Sequence, residues 1–358
     1  MKNKLFDIVM SYKLAIIIPS WNSQNDIGRM LESIQSNTFI DYKVFVVDDL
    51  STDHTVDVVK QYCQQDSRIT LAIRNREPKG AQTCRNIGFQ LSEGAEYVIW
   101  FDSDDVIAPY CLEQRVSYMD SHPELDFGVF LAKQYNNDLW DCDRKQVLGF
   151  RHPIGDLRRF FRRTIPFGVW TNIYRRRSLI VKDIQWDENI LSLQDSDFNI
   201  QSILKDMTYD YAEKDGCKVD YFWHDNPNEG TVTKKITTEV HINSHLYFIQ
   251  KQISSLSKEQ RIFLSKDIDA MLFFFIDKFR DNEYFVRNFL SIPYIKNRVW
   301  FRFRVWLYCH IKVARSKLFP QTVSYMDFFN SVYWEKGQEI LSQVCEGIYP
   351  IKYPDFEE

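Results

Sequence analysis

Three carboxylates at the end of an apolar run are the residues of this sequence best placed to do chemistry. The run from Tyr97 to Phe101 is typical of a buried β-strand, and Asp102, Asp104 and Asp105 follow it directly. Ligands bind at the carboxyl ends of strands in open α/β sheets. Carboxylates this close repel one another unless a cation neutralises them, and oxygen ligands suit Mg²⁺ or Mn²⁺. Such an ion would hold a diphosphate; the alternative is an acidic turn that caps the next helix.

Polar residues also mark the ends of two other strand-like runs. Pro19, Trp21 and Asn22 end one run, and Asp49 follows another. Because neighbouring strand ends line one crevice in a doubly wound sheet, we expect these residues to converge on Asp102. The ring of Trp21 and the carboxylate of Asp49 suit a nucleobase, which offers a flat face and N–H donors.

Lys79, Gly80 and Arg85 lie on the loop and helix before the carboxylate strand. Gly80 permits close approach of the backbone to a ligand, and Arg85 supplies a planar fork of donors for a phosphate or a base. The alternative for Arg85 is a surface charge on a helix. Together with the strand ends, these residues predict a nucleotide site.

The elements that must position these residues alternate between strand and helix. Strands separated by helices of about ten residues indicate βαβ units and a mostly parallel sheet. After about residue 238 the alternation stops, and residues 241–290 are typical of helices. The predicted strands are 13–19, 42–47, 69–73, 127–132 and 221–224, and the predicted helices are 25–36, 55–63, 82–91, 155–161 and 195–205.

Composition narrows the class of protein. The chain has 358 residues, is 44% hydrophobic and 26% charged, and carries a net charge of −4, which excludes a globally basic nucleic-acid binder. Its seven cysteines form no CxxC pair, so we expect reduced thiols and neither a zinc site nor a disulfide framework. Residues 1–10 do not resemble a signal peptide, and no apolar run approaches the roughly 18 residues that a membrane span requires. A cytoplasmic location is therefore expected.

The order of four motifs resembles the inverting family 2 glycosyltransferases. These motifs are IIIPSWN, VVDDLSTD, GAQTCRNIG and FDSDD, spread over residues 13–106. The resemblance implies the GT-A fold, that of the nucleotide-diphospho-sugar transferases: a Rossmann-like, mostly parallel sheet flanked by helices. A helical C-terminal extension would follow. We place a soft boundary at Thr233, which gives a catalytic domain of residues 1–233 and a helical, aromatic and basic region of residues 234–358.

Three later segments extend the resemblance to about residue 233. FGVWTNIYRRRSL is similar to the family segment that bears an aromatic residue near the acceptor, which assigns Trp170 to the acceptor; the alternative for Trp170 is a tryptophan of the core. LQDSDFNIQSIL is similar to the ED-type motif, with Gln194 in place of the usual glutamate and Asp195 at the aspartate. YFWHDNPNEGTVT is similar to the segment that often supplies a histidine near the metal and diphosphate, which assigns His224.

The resemblance implies a role for each residue of the N-terminal motifs. It assigns Asp104 as the direct ligand of Mn²⁺ or Mg²⁺, with His224 as an additional ligand or a donor to the diphosphate. Nucleotide-binding roles go to Pro19, Trp21, Asn22, Asp49, Gly80, Arg85, Asp102 and Ser103. Two departures from the family pattern concern the nucleotide loop: Pro78 stands where asparagine is often found, and Cys84 replaces a common alanine.

The implied reaction is metal-dependent transfer of a sugar from a nucleotide-diphosphate donor, a UDP-sugar, to a glycan or lipid-linked glycan. Asp195 is the candidate base, since it matches the family position that faces the anomeric carbon. Its rival is Asp197, which points elsewhere on a helix and whose alternative is a carboxylate favoured by the helix dipole. Polysaccharide biosynthesis follows from the resemblance alone.

Two other functions compete with this one. A catalytically silent sugar-nucleotide or glycan-binding module would be expected to lack the metal carboxylates or the base, and both are present. A sugar-phosphate nucleotidyltransferase would be expected to have a glycine-rich, basic loop after the first strand, where this chain has PSWN.

A basic and aromatic stretch near the C-terminus suggests a surface. Residues 285–325 contain no Asp or Glu, and eight basic residues within 287–317 interleave with aromatic side chains. This composition suits an anionic membrane surface, and by itself it would suit nucleic acid equally. Given a glycosyltransferase upstream, we favour peripheral contact with the inner face of a membrane and no nucleic acid. The alternative is a cationic helix that packs on the catalytic domain.

Overall fold

A seven-stranded sheet forms the centre of the computed structural model, which describes residues 11–135, 139, 146–224, 238–310 and 335–356. The strands in chain order are β1 (Tyr12–Ser20), β2 (Tyr42–Asp48), β3 (Ile69–Ile73), β4 (Ala95–Trp100), β5 (Val106–Ile107), β6 (Phe127–Val129), β7 (Ala132–Tyr135), β8 (Val147–Leu148), β9 (Asn172–Arg175), β10 (Tyr209–Tyr211) and β11 (Tyr221–His224). The central sheet has the order β10-β6-β9-β4-β1-β2-β3, and a second sheet has the order β5-β11-β7-β8.

Helices cover both faces of the central sheet and make up the C-terminal region. They are α1 (Ile27–Gln35), α2 (Thr55–Gln65), α3 (Ala81–Leu91), α4 (Cys111–Ser121), α5 (Asp156–Phe161), α6 (Arg176–Val181), α7 (Gln194–Leu204), α8 (Glu239–Ser255), α9 (Lys258–Phe263), α10 (Ser265–Phe279), α11 (Glu283–Ser291), α12 (Pro293–Lys296) and α13 (Val299–His310). Residues 335–345 are also helical, and two short 3₁₀ turns occur at Val169–Thr171 and Ala212–Asp215.

Hydrophobic patterning explains why these segments form these elements. Seven consecutive residues of β1, from Leu14 to Ser20, are buried, as expected for a central strand covered on both faces. Helix α1 instead buries one stripe, formed by Ile27, Met30, Leu31 and Ile34. The predicted alternation of strands and helices in the N-terminal part is thus confirmed.

The strand register brings the predicted polar residues to one edge. Strand β1 pairs in parallel with β2 on one side and β4 on the other. Ser20 lies beside Asp48, and Ile17 lies beside Trp100, so the carboxyl ends of all three strands open into one crevice. Within the described central sheet, antiparallel pairing is confined to β9, between β4 and β6. The mostly parallel α/β fold is therefore confirmed.

The second sheet closes the crevice on the side of the carboxylate loop. Strand β5 follows the carboxylate loop and pairs antiparallel with β11. Strand β11 pairs in parallel with β7, which places His224 beside Tyr135. The predicted strand at 127–132 is in fact two strands, β6 and β7, which belong to different sheets. A chain that changes sheets keeps its apolar character throughout, so the pattern alone does not reveal the break.

The C-terminal helices share an apolar core with the central sheet. One cluster of buried side chains extends from Val98 and Tyr174 of the sheet to Phe248, Phe275 and Phe301 of the helices. The predicted helical character after residue 238 is confirmed for the described residues. The proposed boundary at Thr233 lies outside the described residues, so the division into two domains stays a prediction. In the described ranges, no helix is both long enough and apolar enough to cross a membrane.

One expectation about cysteines is wrong. Cys345 is disulfide-bonded, whereas Cys63, Cys84, Cys111 and Cys217 are free thiols. Cysteine spacing along a chain does not reveal which thiols meet in space, and this pair could not be read from the sequence.

A fully buried ion pair holds helix α4 to the segment before β11. Arg115 donates to both carboxylate oxygens of Asp220 at 3.0 and 2.6 Å, and both side chains are 0% exposed. A third N–H of Arg115 donates to the carbonyl of Trp170 at 2.9 Å. The guanidinium therefore ties together three segments that support the second sheet.

We expect Asp220→Ala to reduce the free energy of unfolding by about 3–5 kcal/mol, since it leaves an uncompensated buried guanidinium. The matched control is Asp281→Ala, because Asp281 is 89% exposed and lies 3.8 Å from Arg280. That change should cost about 0–1 kcal/mol. Denaturant unfolding of both variants checks the prediction, and equal losses would contradict it.

Candidate active site

The three carboxylates after β4 lie in three different environments. Asp105 is buried and serves the second sheet: it accepts hydrogen bonds from the Tyr221 hydroxyl and, at 3.0 Å, from the His224 backbone N–H. Asp102 is about one-third exposed and accepts a hydrogen bond from Arg85 at 2.7 Å. Asp104 is exposed at the mouth of the crevice. Of these three, Asp102 and Asp104 are the carboxylates that a ligand can reach.

The carboxyl group of Asp104 is a weaker acid than an ordinary aspartate. Removal of water from around the carboxyl group, followed by the negative charge of Asp102, raises its pKa to about 6. The outer edge of the residue nevertheless remains open to solvent, which is what decides whether a ligand can reach it. A cation at this place would relieve the repulsion between Asp104 and Asp102.

Arg85 links the carboxylate strand to helix α7. Its guanidinium donates to Asp102 at 2.7 Å and to the Gln194 side-chain oxygen at 2.7 Å, and it lies 4.0 Å from a carboxylate oxygen of Asp195. The ring of Trp186 lies against the guanidinium at 4.4 Å. The side chain is almost fully buried, which rules out the surface-charge alternative. Arg85 is thus the contact that brings Asp102 and Asp195 to one site.

Asp195 begins the first turn of α7 with its side chain 32% exposed. Burial raises the pKa of its carboxyl group to about 6, in opposition to the nearby charge of Arg85. A base with a pKa near the working pH is suited to accept a proton. The backbone just before it is left-handed at Leu193, where φ is 69°, so the chain turns sharply into the helix.

Asp197 has a structural role instead. It is 1% exposed and accepts hydrogen bonds from Lys251 at 2.8 Å, Gln252 at 2.6 Å and Gln201 at 2.8 Å. Lys251 and Gln252 belong to α8, so this carboxylate fastens the C-terminal helices to α7. With both oxygens occupied, Asp197 has no oxygen left for a substrate proton, which favours Asp195.

The residues predicted to hold the nucleobase lie at the ends of β1 and β2. The side-chain oxygen of Asn22 accepts from the Thr52 backbone N–H at 2.8 Å, and the Asn22 backbone N–H donates to the Ser51 hydroxyl at 2.9 Å. Asn22 therefore joins the two strand ends and does not point freely into the crevice. Trp21 is 38% exposed, with the ammonium of Lys79 above its ring at 4.5 Å.

Asp49 has a partner that the motifs did not indicate. It is 5% exposed and forms an ion pair with Arg74, which itself is 5% exposed and donates to the carbonyl of Arg76 at 2.6 Å. Arg74 contacts one oxygen of the carboxylate, and no described residue donates a hydrogen bond to the other. The pair holds the Asp49 carboxylate in one orientation.

The other residues predicted to bind the nucleotide lie along the same edge of the central sheet. Pro19 is the penultimate residue of β1, and Gly80 directly precedes α3 with φ at 140°, a conformation that only glycine adopts readily. The Ser103 hydroxyl lies 2.9 Å from that of Ser23, which ties the carboxylate loop to the start of α1. The two departures at Pro78 and Cys84 leave this arrangement intact; the Cys84 side chain is fully buried.

Trp170 lies on the opposite side of the carboxylate loop, among aromatic rings. Its ring stacks on Tyr221 at 5.0 Å and 15°, and Trp223 lies 5.1 Å away. The Tyr221 hydroxyl donates to Asp105 and accepts from the Asp102 backbone N–H at 3.3 Å. Trp170 is partly buried and packs between two apolar clusters, so the structure brings the predicted acceptor residue next to the carboxylate loop.

His224 ends β11 next to Asp105. Its backbone N–H donates to Asp105, and its ring lies 5.2 Å from that of Tyr135. Among the described residues, no group of three His, Cys, Asp or Glu side chains is arranged to hold a metal ion. The assignment of Asp104 and His224 as metal ligands therefore stays a prediction. The rest of the predicted motif after His224 lies outside the described residues.

Sequence reasoning missed the residues that hold the site in place. Glu188 forms a two-pronged pair with Arg76 at 2.7 and 2.6 Å, and Gln82 donates to its carbonyl at 3.2 Å. Gln194 donates to the side-chain oxygen of Gln82 at 2.8 Å. These contacts join α3, the segment before α7 and α7 itself. Each partner is more than a hundred residues away in the chain, so no local pattern could have identified it.

Comparison with known proteins finds a family model that matches the part of the chain that carries this geometry. Residues 15–182 match the family model described as Glycosyl transferase family 2. The poly(ribitol-phosphate) beta-N-acetylglucosaminyltransferase TarS of Staphylococcus aureus is 28% identical over 214 residues, covering 56% of this chain and 36% of TarS. The chain thus matches about a third of that relative's length.

Solved structures show the same fold. The structure of S. aureus TarS 1-349 in complex with UDP-GlcNAc superposes with a TM-score of 0.56 at 20% identity, covering 94% of this chain and 88% of that one. The mannosyltransferase PcManGT of Pyrobaculum calidifontis, in complex with GDP-Man and Mn²⁺, gives a TM-score of 0.50 at 14% identity with the same coverage. At these identities the likeness establishes the GT-A fold.

We expect Gly168→Ala to move the Trp170 ring, since a methyl group there would lie 2.5 Å from a ring carbon of Trp170. The φ of Gly168 is −91°, so the backbone tolerates alanine and the effect is steric. Overpacking of this kind costs about 1–3 kcal/mol. Labelling with 5-fluorotryptophan gives one ¹⁹F signal for each of the nine tryptophans. The signals of Trp170 and Trp223 should shift.

The matched control for this change is Gly155→Ala, because a methyl group at Gly155 would meet no atom within 4 Å. A Trp170→Phe variant assigns the signal. Unchanged Trp170 and Trp223 signals in Gly168→Ala would show that the ring position does not depend on this close contact.

Proposed function

Because this chain is a family 2 glycosyltransferase with the GT-A fold, we propose that it transfers the sugar of a UDP-sugar to a glycan or lipid-linked glycan, with inversion at the anomeric carbon. The observation that carries the proposal is the contact of one buried guanidinium, that of Arg85, with Asp102 on one side and with Gln194 and Asp195 on the other. This contact puts a donor-binding carboxylate and a candidate base at the same place.

Asp195 acts as the base in this proposal. Inversion requires the acceptor hydroxyl to attack opposite the leaving diphosphate while its proton is removed. Asp195 is partly exposed, and its raised pKa suits proton acceptance. Arg85 fixes the position of Asp195 relative to Asp102 and keeps it ionised near neutral pH. The Trp170 ring, beside the carboxylate loop, would position the acceptor.

The donor occupies the crevice between β1, β2 and β4. Trp21 and the open oxygen of Asp49 would hold the nucleobase, and Asn22, Gly80 and Ser103 would border the ribose and diphosphate. The TarS complex with UDP-GlcNAc supports uridine as the base, since that protein shares the fold over 94% of this chain. The sugar itself is left to experiment, because pocket shape decides it.

A divalent cation fits the carboxylate loop. Asp104 is exposed at its outer edge, and removal of water around its carboxyl group together with the charge of Asp102 raises its pKa. Mg²⁺ or Mn²⁺ is commonly held by one or two carboxylates with water and substrate phosphates. Asp104 would hold the ion with Asp102 beside it, and His224 would add a ligand or a donor to the diphosphate. When bound, the ion supplies charge stabilisation to the leaving diphosphate.

The competing functions lack comparable support. A silent binding module has no need for a partly exposed carboxylate of raised pKa opposite the nucleotide edge, as Asp195 is. A nucleotidyltransferase would need a glycine-rich loop after β1, where the chain has Asn22 bound to the loop after β2. The chain matches about a third of TarS, so polysaccharide biosynthesis and the acceptor's identity are part of the proposal.

We place the reaction at the cytoplasmic face of a membrane, contacted through α13. Its Phe301 and Val305 pack in the core, whereas Val299, Trp300 and Phe303 are 79, 72 and 45% exposed. The packed face of α13 agrees with the alternative of a helix on the catalytic domain, and the exposed face supports the proposed membrane contact. Exposed aromatic rings beside Lys296 and Arg302 suit anionic lipid. Lys312, Arg315 and Lys317 of the predicted 287–317 surface lie outside the described residues.

We expect one donor among UDP-, GDP- and dTDP-sugars to be hydrolysed slowly with Mn²⁺, and this activity to be lost with EDTA. Asp104→Asn should reduce it about a hundredfold or more, since metal-ion stabilisation contributes several kcal/mol. Asp57→Asn, at a carboxylate 66% exposed on α2, is the control and should leave the rate unchanged. Chromatography of the released nucleotide gives the measurement. If no donor is hydrolysed and calorimetry detects no UDP binding, the proposed function is wrong.

We expect Asp195→Asn to lower the turnover rate about 10²–10⁴-fold, the usual contribution of a positioned base, with UDP affinity retained. In the wild type, the rate should fall as pH drops below about 6, because the base must be ionised and the pKa of Asp195 is raised to about 6. Asp197→Asn is the control and should reduce thermal stability without moving this pH midpoint. A pH–rate profile with the same midpoint in Asp195→Asn would reject Asp195 as the base.

We expect the protein to float with vesicles that contain phosphatidylglycerol and not with pure phosphatidylcholine. Replacing Trp300 and Phe303 together by serine should abolish flotation, because it removes the exposed aromatic area. The control replaces Ile180 and Val181, which are 49 and 72% exposed on α6, by serine. Flotation that is equal in both double variants would reject the α13 face.

A further inference from the structure

The turn after α5 contains more positive charge than its surroundings neutralise. Arg158 and Arg162 both pair with Asp267, and Arg159 pairs with Asp156. Arg163 is the next residue along, and in the described part of the chain no carboxylate lies within ion-pair distance of it. Its backbone is left-handed, with φ at 64°.

The guanidinium of Arg163 lies among aromatic rings beside helix α7. It donates to the Ser196 hydroxyl at 3.3 Å. Its Nε–H is buried and has no hydrogen-bond partner among the described residues. The rings of Phe248, Phe274 and Phe275 surround it at 5.9, 5.6 and 6.0 Å. Burial alone lowers the pKa of this arginine to about 10.

A second cation lies close to the first. Lys278 of α10 is exposed as a residue, but its ammonium lies near the Phe274 ring. Partial burial of this ammonium, together with the charge of Arg163, lowers the pKa of Lys278. Within the described ranges it pairs with no carboxylate. His245 from α8 also faces this place: its Nδ1–H donates to the carbonyl of His241, and its Nε2 is buried without a partner. Among the described residues, this place therefore holds cations and unsatisfied polar atoms, and no carboxylate forms an ion pair with either cation.

An uncompensated guanidinium among phenyl rings destabilises the folded protein, and an anion would relieve that cost. The position indicates which anion. Ser196, the hydrogen-bond partner of Arg163, directly follows the candidate base Asp195, whereas the donor diphosphate is expected at Asp104 across the crevice. An anion at Arg163 would therefore belong to the acceptor.

We propose that Arg163 and Lys278 form an anion subsite that holds a phosphate group of the acceptor next to the base helix. This inference rests on the proposed glycosyl transfer and adds the chemical class of the acceptor, a phosphate-bearing chain. Arg163 would provide planar donors, and Lys278 would provide a flexible second charge. A neutral glycan would leave both cations unpaired.

The test uses inorganic phosphate and glycerol 3-phosphate as probes, with glycerol as the neutral comparison. Saturating UDP fills the donor site, and thermal shift and calorimetry report binding to the wild type and to Arg163→Gln. Phosphate should raise the melting temperature of the wild type by linkage, and Arg163→Gln should weaken its affinity by about tenfold or more. Arg177→Gln, which removes one exposed charge from α6, is the control and should bind as the wild type does.

Stability separates binding from a structural role. Without phosphate, Arg163→Gln should melt at a higher temperature than the wild type, because it removes a buried unpaired charge. A lower melting temperature with unchanged phosphate affinity would make Arg163 structural and overturn the proposal. No stabilisation of the wild type by phosphate or glycerol 3-phosphate would also overturn it.

Two further readouts identify which idea fails. If UDP does not stabilise any variant, the proposed function fails, while the difference between wild type and Arg163→Gln still reports the anion subsite. Flotation on phosphatidylglycerol vesicles should be equal in wild type and Arg163→Gln, since the exposed aromatic face is on α13. A loss of flotation would assign Arg163 to a lipid headgroup and reject the acceptor subsite.

Discussion

The interaction on which the site depends is the neutralisation of one buried guanidinium. Arg85 comes from α3, Asp102 follows β4, and Gln194 and Asp195 begin α7, so three distant parts of the chain meet at a single charge. A buried arginine without these partners would be costly, and the carboxylates without the arginine would repel each other. The charge balance therefore holds Asp102 and Asp195 near each other. The glutamine at position 194 matters here, because it accepts a hydrogen bond without adding a third negative charge.

Similar residue types have been given different roles by their surroundings. Asp104 is open to solvent, Asp102 is held by Arg85, and Asp105 is occupied by Tyr221 and His224. Asp195 and Asp197 divide in the same way, since the second is enclosed by Lys251 and Gln252 of α8. Burial and hydrogen-bond partners, not residue type, decide which carboxylate can do chemistry. The C-terminal helices thus contribute to the site indirectly, by occupying the carboxylate that would otherwise compete.

The sequence predicted what repeats along the chain and missed what is paired across it. Apolar runs that end in polar residues identified β1, β2 and β4, and parallel pairing then required Asp49 and Asp102 to lie at one edge. The partners of such site residues come from loops and helices where no periodicity points to them. Arg74 pairs with Asp49, and Gln82 pairs with Gln194. The break between β6 and β7 was missed for a related reason, because both strands are equally apolar. Local patterns report burial, whereas partner choice depends on the folded geometry.

Tyr221 mechanically links Trp170 to the carboxylate loop. Its ring stacks on Trp170, and its hydroxyl is bound to Asp105 and to the backbone of Asp102. A rigid ring cannot tilt at one edge without displacing the other. A displacement of the Trp170 ring would therefore be transmitted to the loop that carries Asp102 and Asp104.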